Sequence, residues 1–141
     1  MEEWDEFSDK VKRIRKDPEQ ASSLLKMVDL REKNLISLAM PEFSTLRTEA
    51  HYEIVKELIT AILAIDGWKT TSHEMLIGYV AKNCKEIDAS EAALLDQLRH
   101  IRNDIAYRGV MITPSYLEVN ETHIRKVIEK LKKLVSIKLC N

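Results

Sequence analysis

The stretch from Thr45 to about Ile65 limits the fold more than any other part of the chain. Ala50, Ile54, Leu58, Ile59, Ala61, Ile62 and Ala64 recur at helical spacing and become apolar nearly all round toward the end. A helix without a polar face has no solvent side, so it lies in the middle of a bundle. Ser44 is the expected cap at its start, and Gly67 stops it. The remaining segments must then supply amphipathic helices to surround it. Glycine and proline number three each, so long uninterrupted helices are available for that task.

Those helices can be placed in order. Trp4, Phe7, Val11 and Ile14 follow one another at helical steps and predict an amphipathic helix from about Glu2 to Lys16. Asp17-Pro18-Glu19-Gln20 restarts the chain. Asp17 can cap free N–H groups, Pro18 suits the first helical position, and the helix then runs to about Met40, where Pro41 ends it. Its apolar face is Leu24, Leu25, Val28, Leu35, Leu38 and Ala39. Thr71 and Glu74 stand at capping-box spacing before a helix carrying Met75, Leu76, Tyr79 and Val80. Asp88 and Glu91 open the next helix in the same way. Val110 to Val119 is β-rich and holds Pro114, so it is expected to be an extended connection. Asn120 caps a final helix from Glu121 to about Leu139. No repeat, low-complexity segment or linker divides residues 1–141. The expectation is one domain, an all-α, mostly antiparallel up-and-down helical bundle of four to five core helices plus an N-terminal helix.

Charge narrows the function. The net charge of −1 argues against tight nonspecific binding to duplex nucleic acid, although a local basic groove remains open. Arg125, Lys126, Lys130, Lys132, Lys133 and Lys138 cover the outer face of the last helix, a solvated face that could widen an RNA-binding surface. Cys84 and Cys140 are far apart and follow an acidic N-terminus unlike a secretory leader, so they read as reduced thiols in a cytoplasmic protein. The longest apolar run, Leu58 to Ile65, is too short to span a membrane. His51, His73, His100 and His123 fall in four separate segments without paired metal-ligand spacing. Neither a metal nor a cofactor is expected.

The stretch Leu98-Arg99-His100-Ile101-Arg102-Asn103-Asp104-Ile105-Ala106-Tyr107-Arg108-Gly109 carries the most functional information. Leu94, Leu98, Ile101 and Ile105 make a core stripe, and Gly109 ends the helix. Arg99 and Arg102 lie one turn apart and can emerge on one face. Arg102 can hold a phosphate, or it can simply pair with Asp96, Asp104 or Glu91. Asn103 can orient a phosphate or hydrogen-bond the chain near the helix end. Tyr107 suits a core or interface position with its hydroxyl at the edge. Arg99 and Arg108 are expected to be solvated and to widen a phosphate-binding patch.

These residues resemble the HEPN superfamily (higher eukaryotes and prokaryotes nucleotide-binding) in its small prokaryotic form. The resemblance rests on the helix from His51-Tyr52 to Ala64, followed by Asp66-Gly67-Trp68 and Ser72-His73-Glu74. It rests also on the arginine–asparagine signature in Leu98-Arg99-His100-Ile101-Arg102-Asn103, and on the closing helix. It covers roughly Thr45 to Leu139. It implies a bundle that often dimerises, with the arginine–asparagine sites meeting at the dimer cleft. In active members these sites cut RNA without a metal, the 2′-hydroxyl attacking the adjacent phosphate. Arg102 and Asn103 match the first two motif positions, and Tyr107 stands where the motif histidine belongs. Tyrosine, with a pKa of about 10, is a poor base at neutral pH. The expected function is therefore RNA or nucleotide-phosphate binding through Arg99, Arg102 and Arg108, with a degenerate ribonuclease site at Arg102, Asn103 and Tyr107. One alternative is an active metal-independent endoribonuclease. Another is a non-enzymatic dimeric interaction module, such as the partner of a nucleotidyltransferase in a toxin–antitoxin-like or defence system.

Overall fold

The computed structural model describes residues 2–141. Its helices are α1 (Pro18–Leu35), α2 (Ser44–Asp66), α3 (His73–Asn83), α4 (Ala89–Arg108) and α5 (Pro114–Cys140), joined by two short strands, β1 (Val11–Arg13) and β2 (Trp68–Thr70). The fold is an all-α helical bundle, as the apolar periodicity predicts. The core helix is α2, which packs against α1, α3, α4 and α5. Ile54, Val55, Leu58, Ile59, Ala61 and Ile62 on it are all fully buried. Gly67 ends α2 at φ +89°, a left-handed conformation that costs a residue without a Cβ little.

The N-terminal helix expected over Glu2–Lys16 is absent. Val11–Arg13 instead pairs antiparallel with Trp68–Thr70, Val11 opposite Thr70 and Arg13 opposite Trp68. Asp5 Oδ1 accepts from the Phe7 N–H and Ser8 Oγ from the Lys10 N–H, so local side-chain bonds compete with helical ones. Trp4 and Val11 are buried, but Phe7 of the same periodic set is 88% exposed. Trp4 sits edge-on to both Trp68 and Tyr79, at centroid distances of 5.5 and 4.7 Å. Gly78 on α3 admits this segment, since a Cβ there would lie 2.7 Å from the Glu2 carbonyl oxygen.

Helix boundaries also moved. The Asp17 carboxylate accepts from the Gln20 N–H as expected, but α1 stops at Leu35 rather than Met40. Two 3₁₀ turns, Ile36–Leu38 and Pro41–Phe43, fill the gap, and the Arg47 guanidinium donates to the Leu35 carbonyl. Ser72, not Thr71, caps α3 by accepting from Met75. The Asp88–Glu91 capping box is reciprocal, at 2.8 and 3.1 Å. The connection expected to reach Val119 ends at Thr113. Pro114 begins α5 instead of interrupting it, because its missing N–H costs nothing in a first turn, and Asn120 lies inside the helix.

Helix lengths create the feature that matters for the site. By rise per residue α3 is about 16 Å long and α4 about 30 Å. Because α4 follows α3 and folds back along it, α3 runs out near Arg99. The later turns of α4 lose that cover. Ala92, Leu95 and Leu98 are buried, whereas Ile101 and Ile105 are half-exposed and residues 106–109 are exposed. The expected core stripe therefore holds at Leu98 and fades beyond it.

Candidate functional site

The open shelf lies where α3 begins and α4 continues past it. Three elements meet there: Tyr52, Glu53 and Lys56 from α2, His73 and Glu74 from α3, and Arg99 and Arg102 from α4. Tyr52 and His73 stand with ring centroids 5.8 Å apart and planes tilted by 37°. The Arg102 Nε lies 3.7 Å from Glu53 Oε1, too long for a hydrogen bond. That Nε is buried and donates to nothing among the described residues, while the side chain as a whole remains 22% exposed. The other carboxylate oxygen of Glu53 is taken by Lys56 at 2.6 Å.

The two arginines differ. Arg99, expected to be solvated, is buried and hydrogen-bonded through two of its three nitrogens. Its Nε donates to Asp96 Oδ1 at 3.0 Å, its Nη2 lies 3.1 Å from His100 Nε2, and its Nη1 lies 3.7 Å from Glu74 Oε1. It joins α4 to the start of α3. A charge at the rim of a core would otherwise be unmatched, which explains this set of partners. Arg102 makes no hydrogen bond with the described residues, and 22% of its side chain is exposed against 8% for Arg99.

The remaining sequence-derived candidates spread out along α4. Asn103 is half-buried beside Arg102. Tyr107 is 78% exposed, five residues on and about 140° round the helix from Arg102. Arg108 lies further out, with 72% of its side chain exposed and a 3.4 Å pairing to Asp104. Arg102 is thus grouped with His73 and Tyr52, not with Tyr107 or Arg108. The spacing on α2 held a signal for this. Tyr52, Glu53 and Lys56 are polar residues on a largely buried helix, and polar groups in such a place require partners.

Electrostatics sets the protonation states. Burial lowers the His73 pKa, and the Lys56, Arg102 and Arg99 cations lower it further, against an opposing effect from Glu53. His73 is also the first residue of α3, where the helix N-terminus disfavours a cation. The imidazole is accordingly neutral at pH 7. Burial pushes the Tyr52 hydroxyl up to about 12, so it remains a phenol. Lys56, Arg99 and Arg102 face Glu53, Glu74 and Asp96, a near-balanced set of charges. Such a site can position an anion but does not gather polyanions by long-range attraction.

A second histidine cluster lies elsewhere on α2. His51 Nε2 donates to Glu121 Oε2 at 2.9 Å, and Arg47 Nε donates to the same oxygen at 2.6 Å. Burial, the largest influence, drives the His51 pKa down despite Glu121. For Glu121, burial acts upward, but the bonds from Arg47 and His51 outweigh it and hold the carboxyl below its usual range. His51 Nδ1 has no hydrogen-bond partner among the described residues. A groove of about 540 Å³ lined in part by Leu35, Arg47, Ile54 and Ile128 runs past this cluster. It lies on a different face of α2 from Glu53, which is about 200° round the helix from His51.

Among the described residues no three His, Cys, Asp or Glu side chains gather as a metal site, and no helix is long and apolar enough to cross a membrane. No family model, curated protein or solved structure matches the chain.

Proposed function

We propose that this protein is a HEPN-like domain that binds RNA or a nucleotide through a phosphate held at Arg102. One observation carries the reading: Arg102 makes no hydrogen bond with the described residues and its side chain is 22% exposed, beside an Arg99 that Asp96 and His100 hold. A planar guanidinium in that state suits a phosphate, which accepts two parallel N–H bonds. Asn103, the next residue, orients the same group. Tyr107 is too exposed and too far round α4 to act as a base against that phosphate, so α4 by itself supports binding without cleavage.

A second reading draws on the exposed end of α4. Tyr107 is 78% and Met111 75% exposed, either side of Gly109. Apolar groups left open in this way suit a protein interface, either a homodimer or a partner such as a nucleotidyltransferase in a toxin–antitoxin-like or defence system. A cytoplasmic protein acting on RNA fits both readings.

The test is a titration with short labelled single-stranded RNA in EDTA, comparing the wild type with Arg102→Ala. Loss of about tenfold in affinity is expected from removing one charge-assisted phosphate contact. The logarithm of affinity should fall with that of salt by only about −0.7 for each phosphate contacted, so a slope near −1 is expected. Affinity that Arg102→Ala leaves unchanged would reject the site. Sedimentation of Met111→Glu against the wild type reads the interface separately.

A further inference from the structure

The groove beside His51 shares no lining residue with the shelf, and phosphate binding at Arg102 does not use it. Its volume of about 540 Å³ is that of a small-molecule site, and it lies between α1, α2 and α5. Leu35, Ile54 and Ile128 give it buried aliphatic walls, and the exposed Ile36 and Ala39 continue them to the rim. Its charges are unevenly placed. Arg47 and Arg125 share the single carboxylate of Glu121, at 2.6 and 3.4 Å. Among the described residues Arg47 Nη2 makes no hydrogen bond, and Arg125, with 57% of its side chain exposed, has no other ion pair. His51 adds no charge, because burial and then the two guanidiniums outweigh Glu121 and keep it neutral. With its Nε2 on Glu121, its Nδ1 is a buried acceptor without a donor among the described residues, a gap uncommon in a finished interior. This end of the groove therefore carries one cation in excess. Elsewhere along it Glu32 and Glu129 share Lys132, at 2.8 and 3.6 Å, which leaves one carboxylate in excess.

We propose that this groove binds a small monocarboxylic acid with an aliphatic body of medium length, its carboxylate held by Arg125 and Arg47. The inference stands apart from the phosphate-binding reading and does not need it. One negative charge is what the excess cation matches, and a carboxylate accepts parallel N–H bonds from a guanidinium. The Leu35 carbonyl and Glu121 already fix Arg47, so little order is lost when it takes a ligand. Arg125 is the more exposed of the two and closes on the carboxylate from the rim. The aliphatic walls select the body, since each CH₂ taken out of water adds about fourfold in affinity. A second negative charge on the ligand would meet Glu32 and Glu129, so a dicarboxylate is disfavoured.

The experiment titrates the full chain, its isoleucine methyls labelled for NMR, with octanoate, octanol, butanoate and suberate, each below its micelle or solubility threshold. Octanoate should bind one site and shift the methyls of Ile54 and Ile128, while that of Ile101 on α4 stays in place. Octanol has the same body without the charge and should bind about tenfold more weakly. Butanoate, four methylenes shorter, should lose at least as much, and suberate should also bind more weakly than octanoate. Arg125→Gln alters an exposed side chain, so the fold should survive, which circular dichroism checks. It should cut octanoate affinity about tenfold and leave that of octanol within about twofold. Absence of octanoate binding overturns the proposal. So does octanol binding as tightly as octanoate, an octanoate affinity that Arg125→Gln leaves unchanged, or shifts that fall on Ile101 in place of Ile54 and Ile128.

Discussion

The two histidines on either side of the central helix have depressed basicity for a shared reason and opposite consequences. His51 is sealed, with 1% of its side chain exposed, and is tied through Nε2 to a carboxylate that also holds Arg47. His73 is half-buried and makes no hydrogen bond with the described residues, with Lys56, Arg99 and Arg102 lowering its pKa against Glu53. Burial is the largest influence on both. What separates them is whether the polar neighbours are used up. Around His51, Glu121 joins α5 to α2 and Arg47 ties α2 back to the end of α1, so the cluster fastens helices together. Around His73 the fastening is left to Arg99, which frees Arg102 and the imidazole for something else. Two arginines one turn apart on one helix thus differ in what holds them.

The largest effect expected from breaking this contrast is on stability. Glu121→Ala leaves His51 and Arg47 without their shared acceptor and should cost about 2 kcal/mol in urea unfolding, below the ~3–5 of a fully buried pair. Glu121 is 23% exposed, which sets that discount. Glu53→Ala on the open side should cost under about 1 kcal/mol, since its pairings are long or partly solvated. An equal cost for the two would erase the distinction. Arg102→Ala should lower RNA affinity by about tenfold, ~1.4 kcal/mol, while leaving the unfolding midpoint nearly unchanged.

A smaller effect concerns pH. A histidine with a lowered folded pKa binds its proton more readily when unfolded, so stability is complete above pH 6.5 and falls as pH drops below it. His51→Gln keeps a donor to Glu121 and removes that proton, so its denaturation midpoint should vary less between pH 6.5 and 5 than the wild type's. Further acidification, below 4.5, brings a second loss as Glu121 protonates. A wild type as flat as the variant would show that His51 is not sealed. The smallest effect belongs to Tyr107→Ala. Its side chain is exposed, so stability should change by less than about 0.5 kcal/mol, and RNA affinity should stay within about twofold.

Much of the fold was legible because apolar periodicity reports burial directly. The all-round apolar pattern of α2, the cap at Asp17 and the Asp88–Glu91 box all reappear in the structure. The N-terminus was misread because a spacing of Trp4, Phe7, Val11 and Ile14 fits a helix whether or not one exists. The local bonds at Asp5 and Ser8, the pairing with Trp68–Thr70 and the gap left by Gly78 decide against it, and the last two are long-range. Pro114 was misread as a break for a related reason, since proline opens helices as readily as it ends them. The site was half legible. Arg102 stood out on α4, but its neighbours come from α2 and α3, and only the mismatch in length between α3 and α4 brings them onto one shelf. The local difference between the two arginines is Asp96, one turn before Arg99, which holds its Nε, whereas the residue one turn before Arg102 is Arg99 itself.

The most direct test of the contrast is a side-chain nitrogen NMR titration that follows His51 and His73 together, in the wild type and in Arg102→Ala. His73 should titrate reversibly in the folded protein with a midpoint below 6.5, and the midpoint should rise when the Arg102 charge is removed. His51 should stay neutral until the protein begins to unfold, and Arg102→Ala should not affect it. A His73 midpoint at or above 6.5 that ignores Arg102 would contradict the account, because the imidazole and the guanidinium would then not share a site.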